Sequence, residues 1–417
     1  MKEKITSPEF KKALALITVL FFMWGLSYGL VDVLNKHFQE VLGVTKAQSG
    51  FIQFAYFGAY FVAAIPAGLF MNRFGYKAGI IMGLSFFAAG AFLTIPAAGA
   101  KSFQFFLFSF FVLAMGLGTL ETAANPYATV LGPQSTSATR LNLAQCFNGL
   151  GQFIGPIIGG LMFFSATSSE ATASSSLSSV KVTYVGIGIL VVIIAVMFAR
   201  TKLPDIREKS GDKASHSGSL LDHKEFVYGV TALFFYVAAQ VGLGAFFINL
   251  TVECLPGATS KMGAYLLSIA MICFLGGRFA GTALLTKLAP EKAVLIYGTC
   301  CAVLAGVVFL AIPYVSVVAL ITAFFFMSIM FPTIFALSVR HLGSKTKIGS
   351  SILIMAIVGG AIMPTAMGRI ADIHQTSTAF VLPLVCFLIA ASFGLFYNKL
   401  CRLRTSGPVM AEARDSL

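Results

Sequence analysis

Two acidic side chains lie inside long apolar runs, where an ionised group is costly. Asp32 falls within residues 29–36 and Glu121 within residues 116–126. Ionisable residues inside membrane-crossing segments mark ion pathways or proton relays. No basic residue lies within one helical turn of Glu121, and a low dielectric favours the neutral form of a lone carboxyl group. Glu121 is therefore predicted to couple proton movement, and Asp32 is a second candidate functional residue.

Each carboxyl group also has a structural interpretation. Asp32 could form an interfacial i,i+4 pair with Lys36, and Glu121 could hydrogen-bond to a neighbouring helix. Two aromatic residues favour a functional role for Asp32. On a helix, Tyr28 lies about 40° and Trp24 about 80° from Asp32, so all three share a face. An aromatic ring beside a carboxyl group suits a sugar, because the ring can stack on C–H bonds while the carboxyl group binds hydroxyls.

Amide side chains add hydrogen-bonding capacity without charge. Asn125 follows Glu121 by four residues and shares its face. In the next apolar run, Gln145, Asn148 and Gln152 fall within about 60° of arc. Such a wall fits a neutral polyhydroxylated ligand. Hydrogen bonds between helices explain the same pattern equally well.

The second half of the chain supplies further candidates. Tyr236 and Gln240 share one helical face and are predicted to bind substrate. Arg278 lies within an apolar run beside two glycines, where a structural ion pair or a gating role is as plausible as ligand contact. Arg73 and Lys77 flank a short turn and are assigned to gating.

The histidines and cysteines show no metal-ligand spacing, and no cluster suggests covalent catalysis. The sequence therefore predicts no metal, no cofactor and no enzymatic activity. The coupling ion is expected to be a proton, with sodium left open.

These side chains must be positioned by membrane-crossing elements. The 417 residues are 57% hydrophobic and only 11% charged, with a mean hydropathy of +0.87. Soluble domains carry roughly 25% charged residues, so composition excludes a soluble enzyme, a nucleic-acid-binding module and a disordered regulator. The apolar runs are long and continuous, which favours helices over a β-barrel.

Apolar length predicts twelve helices, each of roughly 20 residues or more. They are placed at about 11–36, 46–72, 78–99, 102–125, 140–164, 181–200, 226–252, 260–286, 292–313, 315–339, 347–371 and 378–400. A serine-rich stretch, 165–179, is predicted to be a flexible outer loop. The polar stretch 201–224 is predicted to be a cytoplasmic linker between an N-terminal bundle, 1–200, and a C-terminal bundle, 225–417.

The distribution of basic residues predicts the orientation. If both termini are cytoplasmic, 22 of the 29 Lys and Arg residues lie on that side and six on the other, with Arg278 inside a helix. Cytoplasmic segments collect Lys and Arg. Two six-helix halves of this kind form a recurrent transporter plan with the substrate near the midplane.

Several segments carry a resemblance to a known family. In the first half these are LETAANP at 120–126, VLGP at 130–133 and RLNLAQ at 140–145. In the second half, GRFAGT at 277–282, PTIF at 332–335, and the small residues at 349–351 and 359–360 agree. The chain resembles the fucose–proton symporter family of the major facilitator superfamily.

That resemblance implies the all-α fold of two pseudo-symmetric six-helix bundles and proton-coupled sugar symport by alternating access. It implies that Asp32 and Glu121 couple the proton, and that Asn148 and Gln240 contact sugar. L-fucose is the leading substrate, and glucose, galactose or another hexose are alternatives, as is a sugar sensor. The expected protein is a monomer in the inner membrane, with lipid and sugar but no nucleic acid as partners.

Overall fold

The computed structural model describes residues 10–132, 137–164, 173–201, 220–285, 287–342 and 345–405. Within these residues, twelve helical segments are long and apolar enough to cross a membrane. Numbered as spans 1 to 12, they are Lys11–Leu42, Lys46–Met71, Tyr76–Gly99, Phe103–Asn125, Leu143–Phe163, Ser176–Arg200, Lys224–Cys254, Ser260–Leu284, Pro290–Phe309, Val315–Val339, Ile348–Ile373 and Thr376–Arg402. The predicted all-α fold with twelve spans is confirmed.

Several helix boundaries differ from those predicted. Span 1 continues past residue 36 to Leu42, where Gly43 ends it in the left-handed conformation (φ 63°). The helix of span 6 begins at Ala173, so the predicted loop 165–179 is helical from that residue onward, and 165–172 lie outside the described residues. In the predicted linker, 202–219 lie outside them too, and Leu220–Asp222 form a 3-10 turn.

Spans 10 and 11 are interrupted near their middle, and spans 2 and 12 close to their start. Span 10 consists of the helices Val315–Met327 and Met330–Val339. Span 11 consists of Thr346–Met355, a 3-10 turn at Ala356–Val358, and Gly359–Ile373. Local changes from α to 3-10 geometry are tolerated in membranes where neighbouring helices cover the backbone.

Spans 1 and 7 occupy the centre of the molecule. In their apolar windows 72% and 78% of residues are buried, against 33% in span 6. Span 1 packs mainly on span 5, and span 7 packs on span 12 within its own half. A central helix contacts protein on most sides, so polar side chains on spans 1 and 7 face the interior rather than lipid.

Glycines allow spans 1 and 5 to approach closely. A Cβ added at Gly29 would lie 2.7 Å from the Gln152 carbonyl oxygen, and one at Gly155 would lie 2.8 Å from the Gly29 Cα. Gly25 and Gly151 make even closer approaches one turn away, completing a small-xxx-small pattern on both helices. This packing fixes the amide-bearing face of span 5 against span 1.

The two halves meet mainly through three helix pairs. Span 1 contacts span 7, span 2 contacts span 11, and span 5 contacts span 8. Side chains on these faces therefore line the boundary between the halves, where a ligand would lie in this architecture.

Candidate functional site

Asp32 lies at the boundary between the halves. Its side chain is buried and packs on Gly244 of span 7, where an added Cβ would lie 2.6 Å from Asp32 Oδ2. Gln53 of span 2 faces it, yet Oδ2 has no hydrogen-bond partner among the described residues. Lys36 forms its salt bridge with Glu40, at 3.6 Å between Nζ and Oε1, and not with Asp32 as the structural interpretation of the sequence proposed.

Glu121 lines a narrow cleft between spans 1 and 4. The side chain is half-buried, and no cation lies within ion-pair distance of it in the described part of the chain. The other residues that line the cleft are Leu20, Phe21, Trp24, Leu120 and Ala124. One turn further on, Asn125 has a buried Oδ1 without a hydrogen-bond partner among the described residues. Glu121 and Asn125 thus place a carboxyl group and an unpaired amide oxygen one helical turn apart.

The predicted aromatic residues link these two acids. Trp24 lines the cleft beside Glu121 and packs on Phe21, with ring centroids 5.8 Å apart. Tyr28 lies one turn nearer to Asp32 and is within electrostatic range of it. The three residues expected to share a face of span 1 therefore extend from the Glu121 cleft to Asp32.

Two amides of span 5, those of Asn148 and Gln152, are hydrogen-bonded within the protein. Asn148 Nδ2 donates to the Phe21 carbonyl at 3.2 Å, and its Oδ1 accepts from Gln152 Nε2 at 2.7 Å. In this state Asn148 therefore joins spans 1 and 5. Gln145 is half-buried on the same helix.

The two candidates of span 7 also differ. The Tyr236 hydroxyl donates to the Met327 carbonyl of span 10 at 2.7 Å, and the residue is fully buried. Gln240, one turn further along the span, is half-buried. In this conformation Tyr236 supports the packing of spans 7 and 10.

The three predicted gating residues lie in different settings. Arg73 is exposed, with its guanidinium 5.3 Å from the Phe74 ring centroid. Lys77 Nζ donates to the carbonyls of Ala199 and Thr201, both at 2.9 Å, and so caps the end of span 6. Arg278 is half-buried over the Phe274 ring, and its Nε has no hydrogen-bond partner among the described residues.

Sequence reasoning missed a polar row on span 2. Gln53, Tyr56 and Tyr60 are all buried and follow i, i+3, i+7 spacing, so they lie on one face of the helix. The spacing was visible in the sequence. Neutral tyrosine and glutamine side chains cost less in an apolar segment than a carboxyl group does, so they are a weaker signal of function.

A second missed feature closes one end of the boundary. Lys46 Nζ lies 2.6 Å from Glu253 Oε1 and 3.0 Å from Thr376 Oγ1. Asp372 accepts from the backbone N–H groups of Lys46 and Ala47 at 2.8 and 3.0 Å. We call these five residues the outer latch, because the charge distribution predicts that this end faces outward.

Further hydrogen bonds between the halves lie beside the outer latch. Asn249 Nδ2 donates to Gln39 Oε1 at 2.6 Å, and Asn35 Nδ2 donates to the Ala245 carbonyl at 3.2 Å. Ser260 and Glu40 also form a hydrogen bond there. The partners are more than 200 residues apart in sequence, so no local pattern could have revealed them.

The described residues hold no group of three or more His, Cys, Asp or Glu side chains that could bind a metal ion. The arrangement instead combines two carboxyl groups, several amides and aromatic rings along one boundary. Such groups can take up protons and hydrogen-bond a neutral solute.

Known proteins share this sequence and architecture. The model of the Major Facilitator Superfamily matches residues 15–356. The L-fucose-proton symporter of Escherichia coli is 37% identical over 406 residues, covering 92% of this chain and 93% of its own. The glucose/galactose transporter of Brucella abortus is 37% identical over 395 residues, covering 93% and 94%.

A solved structure agrees with the sequence relatives. The crystal structure of the E. coli fucose:proton symporter is 36% identical, with a TM-score of 0.69 over 93% of this chain and 99% of that one. These matches confirm the resemblance drawn from the motifs. The relatives are transporters and not enzymes.

Proposed function

We propose that this chain, which belongs to the Major Facilitator Superfamily, imports a neutral monosaccharide together with protons. The observation that carries the proposal is the state of Asp32 and Glu121. Both are inside spans, and neither has a cation within ion-pair distance in the described part of the chain. A carboxyl group without a dedicated cation can bind and release a proton during a cycle. The names of the relatives support sugar as the cargo.

The cycle follows from alternating access. Asp32 or Glu121 takes a proton from outside, sugar binds between the halves, and rocking exposes both to the inside. Loss of the proton then resets the carrier. The outer latch and the neighbouring hydrogen bonds close the outer end in this structure, which corresponds to a state after entry.

L-fucose is the leading substrate, and glucose or galactose follow closely. The two relatives with these different substrate names are both 37% identical to this chain, so overall similarity does not rank the sugars. The test is counterflow in proteoliposomes with L-fucose, D-galactose, D-glucose, D-arabinose and N-acetylglucosamine. Exchange of at least one sugar supports the proposal, and exchange of none contradicts it.

The coupling ion is the second part of the proposal. Imposing a pH gradient without sodium should drive uphill accumulation of the exchanged sugar. Imposing a sodium gradient at equal pH should not. The opposite result would establish sodium coupling, which the residues alone leave open.

The remaining parts concern location and assembly. The protein is proposed to lie in the inner membrane as a monomer, surrounded by lipid, with both termini cytoplasmic. It is proposed to need no metal or organic cofactor and no nucleic acid. Gating is assigned to Arg73, Lys77 and Arg278, and substrate contact to Tyr28, Asn125, Gln145, Asn148, Gln152, Tyr236 and Gln240. A sugar sensor is the alternative, and uphill accumulation excludes it.

A further inference from the structure

We infer that Tyr56 and Tyr60 form a hydroxyl relay that passes protons between Asp32 and Glu121. The inference rests on the proposed proton coupling and adds a route to it. The two acids lie on different spans, and the face of span 1 between them carries aromatic rings rather than a row of hydroxyls. Span 2 supplies the groups between them.

The outer end of the relay begins at Asp32. Spans 1 and 2 are antiparallel neighbours, so span 2 descends as span 1 rises. Gln53 faces Asp32, and Tyr56, one turn deeper, faces Ser27 of span 1. The row from Gln53 to Tyr60 covers about 10 Å of helix, close to the roughly 12 Å between Trp24 and Asp32. Tyr60 accordingly faces Trp24.

The inner end of the relay reaches Glu121 through close packing. A Cβ added at Gly118 of span 4 would lie 3.2 Å from the Tyr60 Cα and 3.4 Å from its Cγ. Glu121 is three residues after Gly118, on the adjoining part of the same helical face. Trp24, which Tyr60 faces, lines the Glu121 cleft. Tyr60 is therefore the residue of the row nearest to Glu121.

The two tyrosines are adjacent, and their hydroxyls lack hydrogen bonds of normal geometry. Their rings stack with centroids 5.6 Å apart and planes 28° apart. Neither hydroxyl forms a hydrogen bond of normal geometry with the residues that the structure describes, and the same holds for the Ser27 hydroxyl and both Gln53 amide atoms. Tyr56 nevertheless lies close enough to Ser27 and Tyr60 to interact with both. Leaving a buried polar group without a hydrogen-bond partner destabilises the folded state. A row of such groups points to a role that uses their hydrogen-bonding capacity in addition to the packing of their rings.

A hydroxyl is both donor and acceptor, which is the property that a relay needs. In each transfer, a tyrosine oxygen accepts a proton from the donor side and releases its own proton to the acceptor side. Both tyrosines stay neutral, one carboxyl group loses a proton, and the other carboxylate gains it. The hydroxyls are near each other without a hydrogen bond of normal geometry in this state, so transfer requires a closer approach or a bridging water molecule.

Other titratable groups face the relay and are not part of it. Tyr28 and Tyr184 are within electrostatic range of Tyr56. Tyr28 belongs to span 1 and Tyr184 to span 6. Tyr28 and Tyr184 lie on other spans, so they do not extend the row of Gln53, Tyr56 and Tyr60 toward Glu121.

The test separates proton movement from sugar movement. Tyr56→Phe and Tyr60→Phe each remove one hydroxyl and keep the ring. Full-length protein in proteoliposomes is given L-fucose or D-galactose, and proton uptake is followed with a pH-sensitive dye inside the vesicles. Counterflow of the same sugar measures exchange without net proton movement. Tyr297→Phe makes the same change in a buried tyrosine of span 9.

We expect sugar-driven proton uptake to fall about tenfold or more in each relay variant, while counterflow continues. The Tyr297→Phe control should retain both. Both variants keep the aromatic ring, so we expect both to fold. If one of them misfolds, the other variant still tests the relay.

Wild-type proton uptake in both relay variants would overturn the relay and leave the proposed function intact. Equal loss of counterflow and proton uptake would also overturn it, because the hydroxyls would then serve sugar binding. A wild-type protein that exchanges sugar without proton uptake would contradict the proposed coupling itself.

Discussion

At the scale of single residues, the predicted coupling residue Asp32 packs against Gly244 of the opposite half. The absence of a side chain at Gly244 leaves room for the Asp32 carboxyl group. We expect closure of the outer end to bring the two together, so that the space at Gly244 is needed once in every cycle.

We therefore expect Gly244→Ala to impair closure. The new methyl group would meet Asp32 Oδ2 at 2.6 Å, and overpacking of this kind costs about 1–3 kcal/mol. Sugar counterflow should fall by roughly fivefold or more.

Gly276→Ala is the matched control, because a Cβ there meets no atom within 4 Å. Removing a helical glycine should leave counterflow unchanged and raise thermal stability slightly. Equal counterflow in the two variants would contradict the contact.

Individual residues also show how much of the candidate site can be predicted from the sequence. Asp32 and Glu121 are conspicuous because a charge in an apolar run is costly, and that argument needs no structure. Whether Asn148 binds ligand or joins helices needed coordinates, because both readings predict the same amide at the same position. In this state its amide joins spans 1 and 5, which does not prevent a sugar contact in another.

At the scale of elements, the outer latch fixes the relation between the start of span 2 and the ends of spans 7 and 11. A capping box at Thr45 holds the short helix Lys46–Ser49. Its first two backbone N–H groups therefore point outward to the Asp372 carboxylate. Negative charge at a helix N-terminus is favourable, and Lys46 adds a charged contact to Glu253.

Breaking the latch should favour opening of the outer end. Lys46→Met removes the cation and leaves Glu253 without it. The pair is partly exposed, so the loss is worth about 1 kcal/mol, or roughly a fivefold change in population. A cysteine at Asn249, which is buried at the closed boundary, reports opening through its labelling by a membrane-impermeant maleimide.

The Lys101→Met variant is the control, because it removes an exposed cation at the same end of the molecule. Labelling at position 249, measured on the isolated peptide, should rise in Lys46→Met and not in Lys101→Met. Equal labelling of both would show that the latch does not hold the outer end closed.

The elements themselves were largely predictable. Twelve spans follow from apolar length, because each must bury its backbone hydrogen bonds in a helix. The ends were less predictable. The extension of span 1 to Leu42 includes His37 and Glu40, whose polarity suggested a loop but which the neighbouring spans and the second half accommodate.

At the scale of the whole molecule, the distribution of cations predicts orientation. Lys101 and Lys287 are both exposed, on opposite sides of the predicted topology. In intact cells, Lys101→Cys should react with an impermeant maleimide and Lys287→Cys should react only after permeabilisation. The reverse pattern would invert the proposed topology and the direction assigned to the outer latch.

The central claim is that two acids on separate spans carry the coupling proton. Its most direct measurement is uphill sugar accumulation driven by a pH gradient in proteoliposomes containing wild type, Asp32→Asn or Glu121→Gln. Both changes keep the shape of the side chain and remove its capacity to exchange a proton. We predict accumulation in the wild type and none in either variant. Wild-type accumulation by either variant would contradict the account.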